Sequence, residues 1–229
     1  MANGKFSNGK RTNLKPVALL LAIALLVGTA VGGTLAWLTD KTDSVKNTFT
    51  VGNIDITLKE DTTDYKMIPG FTIDKDPEVA VVDGSEDCWL FVKVKKSIKA
   101  DLDAYIAYAF ADGWQTVVAE NDNGEIVIGR QVLKTDTTKT FSILGAGTYT
   151  DPMGTADNTK DDVTIKWNID QVGVKPSVTK QMMDALLAGS KAERPTLTFT
   201  AYAVQYYKTN GIPFEAAEAW AIANSAANS

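Results

Sequence analysis

Two small residues, Thr34 and Ala36, stand two apart at the end of an apolar run and make Thr34-Leu35-Ala36 an A-x-A-like peptidase site. Hydrolysis after Ala36 would free Trp37 as a new amino terminus. In that reaction the chain is substrate, and residues for chemistry of its own are scarce. The 229 residues include no histidine. That removes Ser-His-Asp and Cys-His nucleophilic catalysis, the HExxH zinc site and most catalytic zinc sets. No carboxylate pair stands out for glycosidase chemistry. Asp61-Thr62-Thr63-Asp64 has too few ligands for a metal, and Asn121-Asp122-Asn123-Gly124 has no ligand series following it at EF-hand spacing. Both read as turns. No catalytic residue, metal site or cofactor is expected.

The single cysteine, Cys88, cannot form an intrachain disulfide. In Cys88-Trp89-Leu90-Phe91-Val92-Lys93-Val94-Lys95 it shares a strand face with Leu90, Val92 and Val94, which makes it a small buried hydrophobe rather than a reactive thiol.

The peptidase site needs an element to present it. Lys5, Lys10, Arg11 and Lys15 form a basic head without acidic residues, and Val17 to Val31 is an uncharged apolar run. Head, run and small-residue site together read as a secretory signal over residues 1–36. The alternative is an uncleaved anchor, because nothing between Pro16 and Thr39 is charged and a helix of about 24 residues can span a bilayer. Either way the remainder lies outside the cytoplasm, since the basic head stays inside. Contact with the membrane is expected only before cleavage.

Cleavage leaves about 193 residues (229 less 36), enough for one domain with a real core. It leaves 19 Lys+Arg (23 less four) against 28 Asp+Glu, a net charge of about −9. An acidic balance disfavours nucleic acid as a partner.

Residues 37–50 read as a polar leader and 51–229 as the domain. Val45 to Lys59 reads as a strand, with Ile54, Ile56 and Leu58 on one face. Pro69-Gly70, Asp83-Gly84 and Asn123-Gly124 mark turns. Strands are expected at Cys88–Lys95, Gln115–Glu120, Glu125–Leu133, Thr140–Leu144, Val163–Ile169 and Pro195–Tyr207, the last central in its sheet. Leu102 to Trp114 fits a strand from about Ala104 with a short helix at its start. Gly145 to Asp162 reads as a loop. Ser177 to Ala188 reads as a helix capped by Ser177, with Val178, Met182, Ala185 and Leu186 as its apolar stripe, and Pro213 to Ala223 as a second helix. Short alternating strands with few helices argue an all-β antiparallel sandwich with one or two inserted helices.

Gly33-Thr34-Leu35-Ala36-Trp37-Leu38-Thr39-Asp40, followed by Asn47-Thr48-Phe49-Thr50-Val51-Gly52-Asn53-Ile54-Asp55-Ile56, resembles the amino-terminal signature of the TasA/camelysin family. Pro69-Gly70, the Cys88 strand and the Ala201-Tyr202-Ala203-Val204-Gln205 ending are similar to later parts of that family. The resemblance implies a Gram-positive exported protein cut by a dedicated signal peptidase, a jelly-roll version of the sandwich, and a part in biofilm matrix fibres. Some relatives carry a metallopeptidase label, and the lack of histidine argues against carrying it over to this chain.

Three functions therefore stand as expectations. The first is a secreted structural protein of the matrix or cell surface. It would self-assemble by strand complementation into a homo-oligomeric fibre, with Trp37, Leu38, Val45, Phe49, Val51, Ile54 and Ile56 as donor residues. The second is a monomeric surface or adhesion module using aromatics such as Trp89, Phe91, Tyr206 and Tyr207, although Trp89 and Phe91 fit the second face of a covered sheet better. The third and weakest is a secreted hydrolase.

Overall fold

A run that alternates two apolar sets, rich in β-branched and aromatic residues, favours an extended chain that can be buried on both sides. Cys88-Trp89-Leu90-Phe91-Val92 is such a run, and it forms the first half of β5 (Cys88–Lys96). In this computed structural model the described residues are 39–41, 54–61, 65–96, 99–153, 159–188 and 195–227. The signal segment 1–36, the Ala36/Trp37 junction and most of the 37–50 leader lie outside them.

β5 is the middle strand of a five-stranded antiparallel sheet. Its order is β1 (Thr39–Lys41), β15 (Leu197–Gln205), β5, β9 (Glu125–Val132) and β8 (Gln115–Val118). A three-stranded sheet of β10 (Thr140–Ser142), β4 (Glu78–Val81) and β2 (Ile56–Lys59) faces it. Ile54, Ile56, Val79, Val81, Phe141 and Ile143 from this side meet Cys88, Leu90, Val92, Val94, Ile128 and Val132 from the large sheet. Two antiparallel sheets over one apolar core give the sandwich-like, all-β character expected. Each fully buried side chain of this kind contributes about 1.5–3 kcal/mol.

The outer face of the large sheet is covered by a helix. On α3 (Ala216–Ala227), Ala219 and Ala223 are buried, and Trp220 sets its ring edge-on to Phe91 and Tyr202, with centroids 5.6 and 5.1 Å apart. The indole Nε1 of Trp89 donates to the Phe214 carbonyl at 2.8 Å and so fixes the chain leading into α3.

Smaller sheets complete the fold: β3 (Thr72–Asp74), β14 (Gln171–Val174) and β6 (Ile106–Ala107); β12 (Gly147–Asp151) with β13 (Val163–Trp167); and β7 (Ala109–Phe110) with β11 (Leu144–Gly145). A second core of Leu102, Tyr105, Ile106, Val174 and Val178 lies beneath α1 (Lys99–Tyr105) and α2 (Lys180–Ala188). The hairpin turn forms at Asn121–Gly124, where Asn121 Oδ1 accepts the N–H groups of Asn123 and Glu125, each at 3.0 Å, and Gly124 takes φ 71°.

Several expectations need correction. The supposed loop Gly145 to Asp162 contains β12, paired with β13 from Gly147↔Trp167 to Asp151↔Val163. A Cβ on Gly147 would come within 2.2 Å of the Trp167 ring, so this glycine marks close packing rather than a loop. β14 was unforeseen. Helix α2 begins at Lys180, and its cap is Thr179, whose Oγ1 accepts the Met182 N–H at 3.2 Å. Ser177 is held elsewhere, donating both its N–H (3.0 Å) and its hydroxyl (2.6 Å) to Asp151 Oδ2. On α2, Met182, Met183 and Leu186 pack against the second core while Ala185 is exposed. α1 continues to Tyr105, so the chain turns extended at Ile106 rather than Ala104. Near the amino end, β2 covers only Ile56–Lys59, and residues 54 and 55 precede it outside any strand.

Candidate functional site

Strands of a sheet are joined by backbone groups alone, so an edge accepts any chain of suitable register, whether its own or a neighbour's. The edge of the large sheet is β1, from the leader segment. It pairs antiparallel with β15 through Thr39↔Val204, Asp40↔Ala203 and Lys41↔Tyr202. β15 is nine residues long and pairs along its whole length with β5 on the other side, so the three-residue β1 spans only a third of it. α3 also lies against β1 and β15. The opposite edge is β8. Among the described residues no strand pairs with its outer side, and a bulge interrupts its register between Thr116 and Val118. Gln115, Thr116 and Val118 are exposed there.

Of the seven residues expected to donate a strand, Trp37, Leu38, Val45, Phe49 and Val51 lie outside the described residues. Ile54 and Ile56 are buried in the core of their own chain. β2, which contains Ile56, pairs with β4 of the same chain from Ile56↔Val81 to Lys59↔Glu78. The leader and the start of the domain thus serve different sheets: residues 39–41 close the edge of the large sheet, and residues 54–59 build the small one.

Among the described residues no three His, Cys, Asp or Glu side chains cluster as they would to hold a metal ion. Cys88 is buried in the sandwich core, and burial, reinforced by Asp87 and opposed by Lys139, pushes its thiol up to about 12. Such a group stays protonated at neutral pH. Trp89 and Phe91 are buried beneath α3, so of the four aromatics named for adhesion only Tyr207 is exposed and Tyr206 half-buried.

Two buried lysines hold separate parts of the chain together. Lys96 donates to Asp103 at 2.7 Å and to Glu120 at 3.1 Å, and Lys75 pairs with Glu60. Burial alone would lower the Lys96 ammonium, but its hydrogen bond to Asp103 and the surrounding Tyr108 and Glu120 raise it overall. A further cation, Arg130, escaped the sequence reading. Its signal is present there: Ile126, Ile128, Arg130 and Val132 occupy one face of an expected strand, with a charge between apolar neighbours.

No family model matches the chain, and neither a curated protein nor a solved structure matches it.

Proposed function

We propose that this chain is an exported structural subunit that assembles into extracellular fibres by exchange of its amino-terminal strand. The observation that carries the reading is β1. A leader that closes its own sheet edge over three residue pairs can make the same pairs on a neighbour, because the groups exposed and satisfied are identical in the two cases. Its short length keeps the intramolecular pairing easy to give up. Exchange that does not close on itself yields a filament, and the open β8 edge offers a second surface for lateral contact.

The amino-terminal resemblance supports the same reading, together with secretion to the matrix or cell surface, a jelly-roll path for the sandwich, and cleavage between Ala36 and Trp37. The apolar run at Val17 to Val31 is the membrane-directed part of the chain before cleavage. Among the described residues no helix is long and apolar enough to cross a membrane. No catalytic role is proposed, given a chain without histidine and a protonated, buried Cys88.

The test is the protein exported by a Gram-positive host, characterised by intact mass, amino-terminal sequencing, sedimentation and negative-stain microscopy. A start at Trp37 with filaments or high oligomers is expected, and deletion of residues 37–50 should abolish them. A processed protein that stays monomeric at all concentrations, or filaments that survive the deletion, would overturn strand exchange. Chelator-sensitive proteolysis by the purified protein would point to the hydrolase reading instead.

A further inference from the structure

Pro69 at the second position of a tight turn and Gly70 at the third, with φ 78°, make a type II turn, closed by the Phe71 N–H donating to the Ile68 carbonyl at 3.1 Å. The Gly70 N–H donates to the Val174 carbonyl at 3.0 Å, and the Val174 N–H donates to the Phe71 carbonyl at 2.8 Å, so β14 holds the turn in place. On this fixed backbone Ile68 is 56% and Phe71 65% exposed, and Phe71 is the most exposed aromatic side chain among the described residues. No charge falls between Met67 and Ile73, while the exposed Lys66 stands at one end of the run. An apolar knob on a fixed backbone loses little entropy when it docks, which distinguishes it from an apolar side chain on a loose loop.

A receptacle lies elsewhere on the molecule. An open cleft of about 670 Å³ has Phe110, Ala146 and Ile169 among its walls, and Ile169 is itself 57% exposed. Arg130 lies along this cleft with its guanidinium carbon 3.7 Å from the centre of the Phe141 ring. Asp112 and Asp136, both exposed, line it too, so two negative charges face one positive and the balance is negative. The turn cannot enter its own cleft. Phe71 precedes β3, whereas Ile169 adjoins Asp170, whose carbonyl accepts the Lys75 N–H just past the other end of that strand. The four steps of extended chain from Phe71 to Lys75 span about 13 Å.

We propose that the Ile68–Phe71 turn docks in this cleft on a second copy of the chain. One contact then covers two exposed apolar surfaces, Ile68 with Phe71 on the convex side and Ile169 on the concave side. It also brings Lys66 toward Asp112 and Asp136, so the charges at the mouth are complementary. Because the two surfaces differ, each pair of copies keeps one of each unused, and addition continues head to tail. The contact rests on the self-assembly reading but not on strand exchange, since neither surface includes β1 or β15.

Covalent capture of the contact in processed protein exported by a Gram-positive host tests the proposal. Protein carrying Thr72→Cys, beside the turn, is mixed with protein carrying Thr137→Cys, at the cleft, and treated with a short bismaleimide; both positions are exposed, and the native Cys88 is buried. Chains linked through positions 72 and 137 are expected, in clear excess over those obtained when Leu187→Cys, at another exposed position, replaces Thr137→Cys. Phe71→Asp in the first protein should lower the yield by about tenfold or more, and Ala146→Trp in the second should do the same by filling the cleft. Both changes fall at exposed positions, so the melting curves should stay those of the parent proteins. Lys66→Glu should lower the yield about threefold and make it less sensitive to salt. A yield no higher than that of the Leu187→Cys control, or one undiminished by Phe71→Asp or Ala146→Trp, would overturn the contact even where filaments form, and would leave strand exchange standing. Linkage without filaments would support the contact and count against the fibre. Phe71-dependent binding to phosphatidylglycerol vesicles, with no linkage between copies, would overturn the proposal in favour of a lipid surface.

Discussion

The two faces of β5 begin equally apolar and are buried by different means. On the inner face Cys88, Leu90, Val92 and Val94 are buried in the core shared with the second sheet, and Lys96 beyond them is buried beside Asp103, Glu120 and Tyr108. On the outer face Trp89 and Phe91 are buried under α3, but Lys93 is only half-buried and Lys95 is exposed. A single twelve-residue helix covers the Cys88 end and leaves the other to water. At the far end of the inner face the cover passes from the second sheet to α1 and the segment between β8 and β9, where Lys96 bonds Asp103 and Glu120. Cover by a sheet secures more apolar surface than cover by one helix, and the buried cation lies beyond the end of that shared core.

The largest effects come from emptying either face at its centre. Leu90→Ala on the inner face should lose about 2–5 kcal/mol, and Phe91→Ala on the outer face about 3–5 kcal/mol, read from urea midpoints at constant m. If Phe91→Ala were nearly neutral, α3 would not be packed on that face in solution. Removing both counter-charges from Lys96, by Asp103→Asn with Glu120→Gln, should cost about 3 kcal/mol, because one buried charge is left alone. Adding Lys96→Met to that pair should recover most of the loss; no recovery would mean that the carboxylates matter for another reason. Trp220→Ala should cost about 2 kcal/mol, less than the Phe91 change, since Trp220 is itself half-buried on the helix. Its near-ultraviolet circular dichroism should also lose the contribution of the Trp220, Phe91 and Tyr202 contacts.

The contrast also explains what could be seen from sequence. The inner face of β5 was legible because Cys88, Leu90, Val92 and Val94 follow the two-residue period of a strand, and the faces of β15 follow from the same rule. β12 and β14 were not, because Gly147 and Gly173 look like loop residues until Trp167 and Ile165 are packed against them, where a Cβ would lie within 2.2 and 2.5 Å. Ser177 resembles a helix cap, yet the Asp151 carboxylate, far away in sequence, captures it and leaves Thr179 to cap. The cleft around Arg130 was hidden for a related reason. Its walls come from residues near 110, 130, 137, 141 and 146, and only the strand pairings bring them together. The strand at Thr39–Lys41 was not legible, and a strand is expected only from Val45, since a polar three-residue segment carries no pattern that selects β15.

The smallest predicted effect separates the faces by pH. Both ends of the inner face titrate with raised pKa values: Cys88, pushed up by burial first and by Asp87 next, and Lys96, raised overall by its carboxylates against the pull of burial. A group that holds its proton more tightly when folded contributes stability that is complete below its unfolded pKa and declines above it. For Cys88 that decline begins near pH 9, its ordinary value, and for Lys96 near 10.5. Tyr108, also pushed up by burial, adds to the decline from about 10. Between pH 9 and 10 Cys88 is therefore the main contributor among these three. Cys88→Ala should lose about 1 kcal/mol at pH 7 through the small cavity, and its urea midpoint should fall less steeply than that of wild type from pH 9 to 10. The outer face, apolar under α3, gives Trp220→Ala no such change of slope. Equal slopes for Cys88→Ala and wild type would show that the thiol is not shielded by the second sheet.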